Sequence, residues 1–212
     1  MLHLSTVEPA TLELLRKLQS LPILNNTRLV GGTALALQFG HRKSVDLDFF
    51  GHIDVDSLDL QEALQTIGTL TTLKDSKNIH IYSLDGIKID IVNYAYPWLD
   101  DVVIKNGIRL ASTKDIAAMK ITAIIGRGTM KDFVDIYYLL KRKYSITDIL
   151  NFYTQKYPDS SCFMAMKSLA YFGDADFDVM PYMFSDITWD EIKEFITMLT
   201  LFIHDDTALH SI

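Results

Sequence analysis

Apolar positions along the chain follow two different periods, and the change falls near residue 111. In the first half, short alternating runs sit between short helical ones. Leu12, Leu15 and Leu18 share one helical face, with a capping-box pattern from Ser5 to Glu8 and Pro9 in the first turn. Leu29 and Val30 read as a short buried strand running into Gly31, Gly32 and Thr33, and a helix from Ala34 to Phe39 closes at Gly40. Residues 44–50 alternate strictly and predict a strand with Val45, Leu47 and Phe49 facing the core. Residues 57–67 predict a helix. Ile79–Leu84 and Ile87–Val92 predict a hairpin that turns at Asp85 and Gly86. Beyond Ser112 the texture is helical, with helices near 113–125 and 130–142 and at least two more in 146–204.

That order predicts an α+β fold: a small mixed-sheet domain over residues 1–111, then a helical domain over 112–212 that packs on the active-site cleft. Composition changes this picture little. Hydrophobic residues at 49% and charged residues at 22% fit a globular chain with a real core. No apolar run reaches membrane-spanning length and no signal-peptide pattern opens the chain, so no membrane association is expected. A single cysteine, Cys162, has no internal partner, which points to a reducing, cytoplasmic setting. The net charge of −7 argues against a general polyanion-binding surface, though a carboxylate site awaiting a cation is itself acidic.

The candidate chemistry lies in those carboxylates. On an alternating strand Asp46 and Asp48 share the face opposite Leu47, where two like charges repel unless something compensates. A divalent cation, Mg2+ or Mn2+, is one such compensation, and oxygen ligands suit it. In the hairpin, Lys88 and Asp90 take the polar parity between Ile87, Ile89 and Ile91. If that strand lies beside the first, Asp90 becomes a third metal-ligating carboxylate and a candidate base. Upstream, Gly31 and Gly32 allow close backbone approach to an anion. Thr33 offers a hydroxyl for phosphate, and helix-start amides point outward. Taken singly, each motif is also consistent with an ordinary turn or a solvated strand face.

Together they resemble the nucleotidyltransferase superfamily pattern, Gly-Gly-(Ser/Thr) followed about a dozen residues later by Asp-x-Asp. The longer stretch from Leu29 to Phe50, the blocks from Ser112 to Lys120 and from Arg127 to Asp135, and the tail around Tyr171, Met180 and Trp189 are similar to the AbiEii/AbiGii toxin family of nucleotidyltransferases. The resemblance covers most of the chain. It implies that Gly32 and Thr33 contact phosphate, that Asp46 and Asp48 hold metal, and that Asp90 is the third acid. It further implies that Lys120, with Arg127, Lys131, Asp132 and Asp135, completes the site from the helical half. The function it implies is transfer of a nucleoside monophosphate from a nucleoside triphosphate to an acceptor hydroxyl, RNA or a tRNA end. The setting would be a bacterial abortive-infection or toxin–antitoxin pair with an antitoxin protein.

Two other readings stay open: a non-catalytic nucleotide- or antitoxin-binding module, and a small-molecule (antibiotic) nucleotidyltransferase. Residue by residue, Lys120 is either a solvated lysine or a cation reaching the triphosphate. Lys131 can pair with Asp135 at i, i+4, so part of that cluster is explained as a surface ion pair. Arg127 between two glycines either clamps phosphate or is simply exposed. His41, Arg42 and Lys43 form a basic tripeptide that either steers an anion or is a solvated loop. The run from Gly173 to Asp178 fails as a calcium loop, because Val179 and Ser185 stand where a glycine and a glutamate are needed. Tyr137, Tyr138, Phe152 and Tyr153 read as packing residues.

Overall fold

The computed structural model describes residues 1–209. Its contacts divide into two compact units, Met1–Ser112 and Thr113–Ile212. The first is built on one mixed sheet of β1 (Thr27–Leu29), β2 (Leu47–Gly51), β3 (Leu70–Asp75), β4 (Ile79–Leu84), β5 (Ile87–Asn93), β6 (Val103–Lys105) and β7 (Ile108–Leu110). The strand order is β3-β4-β5-β2-β1-β7-β6. Helices α1 (Pro9–Ser20), α2 (Gly31–Phe39) and α3 (Ser57–Gln65) complete the unit.

The predicted hairpin forms as β4 and β5, with Asp85 and Gly86 at φ of 50° and 83°, the twist that matches two antiparallel strands. A second hairpin, β6–β7, turns on Asn106 and Gly107 at φ of 53° and 75°. Its Asn-Gly signal is legible in the chain, but the flanking strands are three residues each and too short to announce themselves. The strand expected over 44–50 begins only at Leu47, and Val45, assigned to the core, is 59% exposed. The expected capping box at Ser5 does not form. Leu4–Thr6 is a 3-10 turn, and Glu8 precedes α1 without a side-chain cap bond.

Two interactions tie this unit together from distant sequence. Gln19 donates to the Arg109 carbonyl and accepts from its amide, both at 2.8 Å. The Arg109 guanidinium in turn donates to the carbonyls of Gln19, Leu24 and Thr27. One arginine thereby satisfies the ends of α1 and the turn before β1, polar groups that would otherwise be costly where water is scarce. Leu15, Leu18, Leu29, Leu35, Leu47, Phe49, Ile89 and Ile91 form the core and are wholly buried.

The second unit is helical: α4 (Thr113–Gly126), α5 (Met130–Arg142), α6 (Ile146–Lys156), α7 (Cys162–Leu169) and α8 (Trp189–Leu209). Helix α4 contacts α5, α6 and α7, and Ile116, Ala117, Ala118, Ile121 and Ile124 are all buried along it. An apolar surface on nearly all sides is what a central helix needs. Ser145 and Asp148 cap α6 reciprocally, as do Thr188 and Glu191 at the start of α8. The stretch at 173–178 is a structural loop. Asp176 accepts from Trp189 Nε1 at 2.7 Å, and Asp178 accepts from the Met130 amide at 2.8 Å. Tyr137, Tyr138 and Tyr153 are buried packing residues.

Candidate active site

Helix α2 starts three residues earlier than periodicity suggests, at Gly31, which adopts φ +66°. That left-handed conformation favours glycine, and space demands it too, since a β-carbon there would collide with the Asp48 carboxylate. Val30, the residue before the helix, makes no side-chain cap bond, and the start of the helix lies against the Asp48 carboxylate. Thr33 departs from its expected place at a phosphate. It is 1% exposed, and its hydroxyl donates to the Asp46 carbonyl at 2.5 Å while lying 2.8 Å from the Ser44 hydroxyl. With the Val30 amide donating to the Asp48 carbonyl at 2.8 Å, the Gly-Gly-Thr segment is bonded directly to the Asp-x-Asp segment.

Strands β2 and β5 are parallel neighbours, and their register sets Asp48 opposite Asp90. Leu47, Phe49, Ile89 and Ile91 fill the core face, which leaves Asp48, Lys88 and Asp90 on the other. Asp46 lies just before the strand, partly exposed and held by Thr33 through its own carbonyl. The Lys88 ammonium sits 2.6 Å from Asp90 Oδ1, a buried oxygen that no aligned hydrogen bond satisfies. Burial pulls the Lys88 pKa down, but the pairing with Asp90 and the charges of Asp90, Asp48 and Asp46 outweigh it. The pKa stands above the ordinary lysine value. One ammonium thus feels all three carboxylates.

Among the described residues no three His, Cys, Asp or Glu side chains converge as a ready-made metal cage. The carboxylates share one neighbourhood, and Lys88 supplies the compensating charge within it. The donor set still fits a hard divalent cation. It is all carboxylate oxygen, it includes a buried oxygen without a hydrogen bond, and a cationic group already stands beside it. Lys88 was legible by parity but carried no signal of this role.

In the helical unit the expected residues gather differently from the reading as phosphate ligands. Lys120 is 4% exposed, with its ammonium 2.8 Å from Asp132 Oδ1 and 2.6 Å from Asp135 Oδ2. Both carboxylates are fully buried. Arg127 adds two bonds to Asp132, at 2.9 and 3.1 Å, and the Thr129 hydroxyl donates a third at 2.6 Å. Burial alone would raise the Asp132 pKa. Lys120, Arg127 and Thr129 overcome that and hold it far below the usual carboxylate range. Arg127, with 57% of its side chain exposed, and the exposed Lys131 are the cluster's members with a surface to offer an anion. A second buried pair, Lys156 with Asp115 at 2.8 Å, joins α6 to α4 and had no signal in the sequence. The basic tripeptide is not a solvated patch: His41 and Arg42 are buried, and Lys43 pairs with Glu8 at 2.5 Å.

A glycine turn feeding a helix, followed by carboxylates on adjacent parallel strands, defines the nucleotidyltransferase fold. Solved structures share it. A putative nucleotidyltransferase from Helicobacter pylori superposes with a TM-score of 0.58 at 19% identity, covering 97% of this chain and 99% of that one. JHP933 from the same organism gives 0.57 at 21%, covering 97% and 96%. An uncharacterized protein of Aquifex aeolicus is 37% identical over 192 residues, 86% of this chain and 90% of that protein. The model of the nucleotidyl transferase AbiEii toxin, Type IV TA system, matches residues 13–203, and the chain belongs to that family of nucleotidyltransferase enzymes. No described helix is long and apolar enough to cross a membrane.

Proposed function

We propose that this enzyme moves a nucleoside monophosphate from a nucleoside triphosphate to an acceptor hydroxyl on RNA, a tRNA end foremost, as the toxin of a bacterial abortive-infection or toxin–antitoxin pair acting in the cytoplasm. The observation that carries the reading is the register that sets Asp48 beside Asp90, with Asp48 packed against Gly31 at the start of α2. Phosphate oxygens and paired carboxylates then meet at one place.

In this reading Asp46, Asp48 and Asp90 would hold a divalent ion, magnesium or manganese. When bound, it supplies positive charge to the phosphates and eases ionisation of the acceptor hydroxyl. The chain's own residues do the rest. The first-turn amides of α2 bind and orient the triphosphate, and Thr33 fixes the Asp46 backbone. Asp90 accepts the proton of the attacking hydroxyl. The acceptor oxygen bonds to the α-phosphorus, the α–β bridging bond breaks, and its electron pair leaves with pyrophosphate. Lys88 keeps the acidic face tolerable before the cation arrives.

The test is a transfer assay with each α-labelled nucleoside triphosphate, magnesium, and bulk RNA, protein extract or no acceptor, run beside Asp48→Asn. Label on RNA with wild type alone supports the reading, and label on a small molecule or protein moves the acceptor. No label with any acceptor, despite magnesium-dependent nucleotide binding that Asp48→Asn loses, would make the chain a binding module.

A further inference from the structure

The sheet face that carries the transfer carboxylates continues past them into aromatic surface. Phe50 stands two residues beyond Asp48 on β2, opposite Arg28 of β1 and Val92 of β5. All three keep the half-buried parity of Asp48 and Asp90, between the wholly buried Leu29, Phe49 and Ile91. The chain after β5 holds the same parity one step further, because the Tyr94 amide donates to the Gly51 carbonyl at 2.9 Å and so extends the parallel pairing. At ~3.3 Å per residue, this surface begins with Phe50 about 7 Å from Asp48.

Three rings in five residues follow: Tyr94, Tyr96 and Trp98. Tyr94 is their hub. Its ring centroid lies 5.2 Å from that of Phe50, 5.5 Å from Tyr96 and 5.3 Å from Trp98, and each pair is tilted by 44° to 55° rather than laid flat. The Arg28 guanidinium lies 4.3 Å from the Trp98 ring and donates to the Asp100 carbonyl at 2.8 Å, which fixes a cation at the edge of the cluster. Tyr96 is 50% exposed on a loop, more open than packing alone requires. Rings open to water beside a held guanidinium are the kind of surface on which unpaired nucleic-acid bases stack, and the cation suits the phosphates that join those bases.

The side of the carboxylates on which the rings lie decides whose bases they meet. Strand β1 runs antiparallel to β2, so Gly31 lies toward one end of the acidic pair and the Arg28–Phe50 pair toward the other. In phosphoryl transfer the attacking and leaving oxygens stand roughly in line on opposite sides of phosphorus. With pyrophosphate leaving toward Gly31, the acceptor arrives over the rings.

We propose that Phe50, Tyr94, Tyr96 and Trp98, with Arg28, form a platform that stacks the unpaired terminal bases of the acceptor RNA strand, an assignment that rests on the nucleotidyl-transfer reading above. The experiment measures binding apart from transfer. Fluorescence anisotropy of the full chain would follow a fluorescein-labelled oligoadenylate of about six nucleotides, in magnesium without nucleoside triphosphate, beside an abasic ribose-phosphate strand of the same length. Wild type should bind the oligoadenylate saturably, and about fivefold or more tighter than the abasic strand. Tyr96→Ala, its fold checked by circular dichroism, should weaken oligoadenylate binding roughly 5- to 100-fold, the scale of one lost stack, and Tyr96→Phe should keep it. In steady-state transfer Tyr96→Ala should raise the KM for RNA and leave that for the nucleoside triphosphate unchanged. Equal binding of the two strands, wild-type affinity in Tyr96→Ala, or no saturable binding up to about 1 mM would overturn the platform, whether or not RNA is labelled. So would a loss confined to nucleoside triphosphate affinity, which gives the rings to the donor's base instead. RNA left unlabelled by a wild type that still binds the strand through Tyr96 would count against the transfer reading and keep the platform.

Discussion

The Thr33 hydroxyl donates to the backbone carbonyl of Asp46 at 2.5 Å, so the threonine of the Gly-Gly-Thr turn holds the acidic segment in place. A buried hydroxyl used this way is a positioning group, and its loss leaves a carbonyl unmatched in a site that tolerates little movement. Thr33→Val, which keeps the shape, should lower transfer about 10- to 100-fold, as loss of a group supporting metal ligands typically does. Thr33→Ser should retain most of it. Circular dichroism of both variants, with steady-state transfer rates, separates this outcome from misfolding.

Gly31 is constrained twice, by φ +66° and by the Asp48 carboxylate packed against it. In Gly31→Ala the backbone strain costs roughly 1–2 kcal/mol and the methyl group pushes Asp48 aside. Urea unfolding should show that loss of stability. Nucleotide binding should fall further than the same loss of stability produces when placed at Gly86, where a β-carbon meets nothing.

Lys120 is buried between Asp132 and Asp135, so removing it takes a counter-charge shared by two buried carboxylates. Lys120→Ala should cost about 3–5 kcal/mol in chemical denaturation. Acid behaviour follows from the same cluster. The folded-state pKa of Asp132 is depressed, so its contribution to stability is fully present above the unfolded carboxylate value and is lost as pH falls through the folded one. Wild type should therefore lose stability below about pH 4, and Asp132→Asn, less stable at neutral pH, should show a shallower acid slope there.

Lys88 stands beside Asp90 where a divalent ion would have to compete for the same charge. Lys88→Met removes the competitor, so manganese affinity followed by electron paramagnetic resonance should rise severalfold, by roughly 1 kcal/mol. Metal-free Lys88→Met should be less stable than wild type and gain more from added magnesium. A manganese affinity equal to or below that of wild type would show that Lys88 serves the site rather than holding it closed.

How much of this was legible depends on the range of each interaction. The β4–β5 hairpin and the helices from α4 to α6 follow from local period and turn chemistry, because strand alternation, positive-φ glycines and 3.6-residue faces are written within a dozen residues. The β6–β7 hairpin is not legible, because three-residue strands hold too little pattern. The strand at Leu47–Gly51 is shorter than the alternation over 44–50 predicts, because that alternation continues through residues that no partner strand pairs.

The sequence by itself determined the chemical inventory: an acidic pair two residues apart, a third carboxylate at the same parity, and a glycine turn ahead of them. Those types at those spacings are local facts, and the family resemblance rests on them. Only the tertiary structure decided that β2 and β5 lie parallel with Asp48 against Asp90. It alone turned Thr33 inward to the backbone and buried Lys120 between two aspartates rather than in water. The physical reason is shared by all three. Whether a charged or polar group is free to act depends on which distant groups satisfy it once water is removed, and a linear pattern carries no record of those partners.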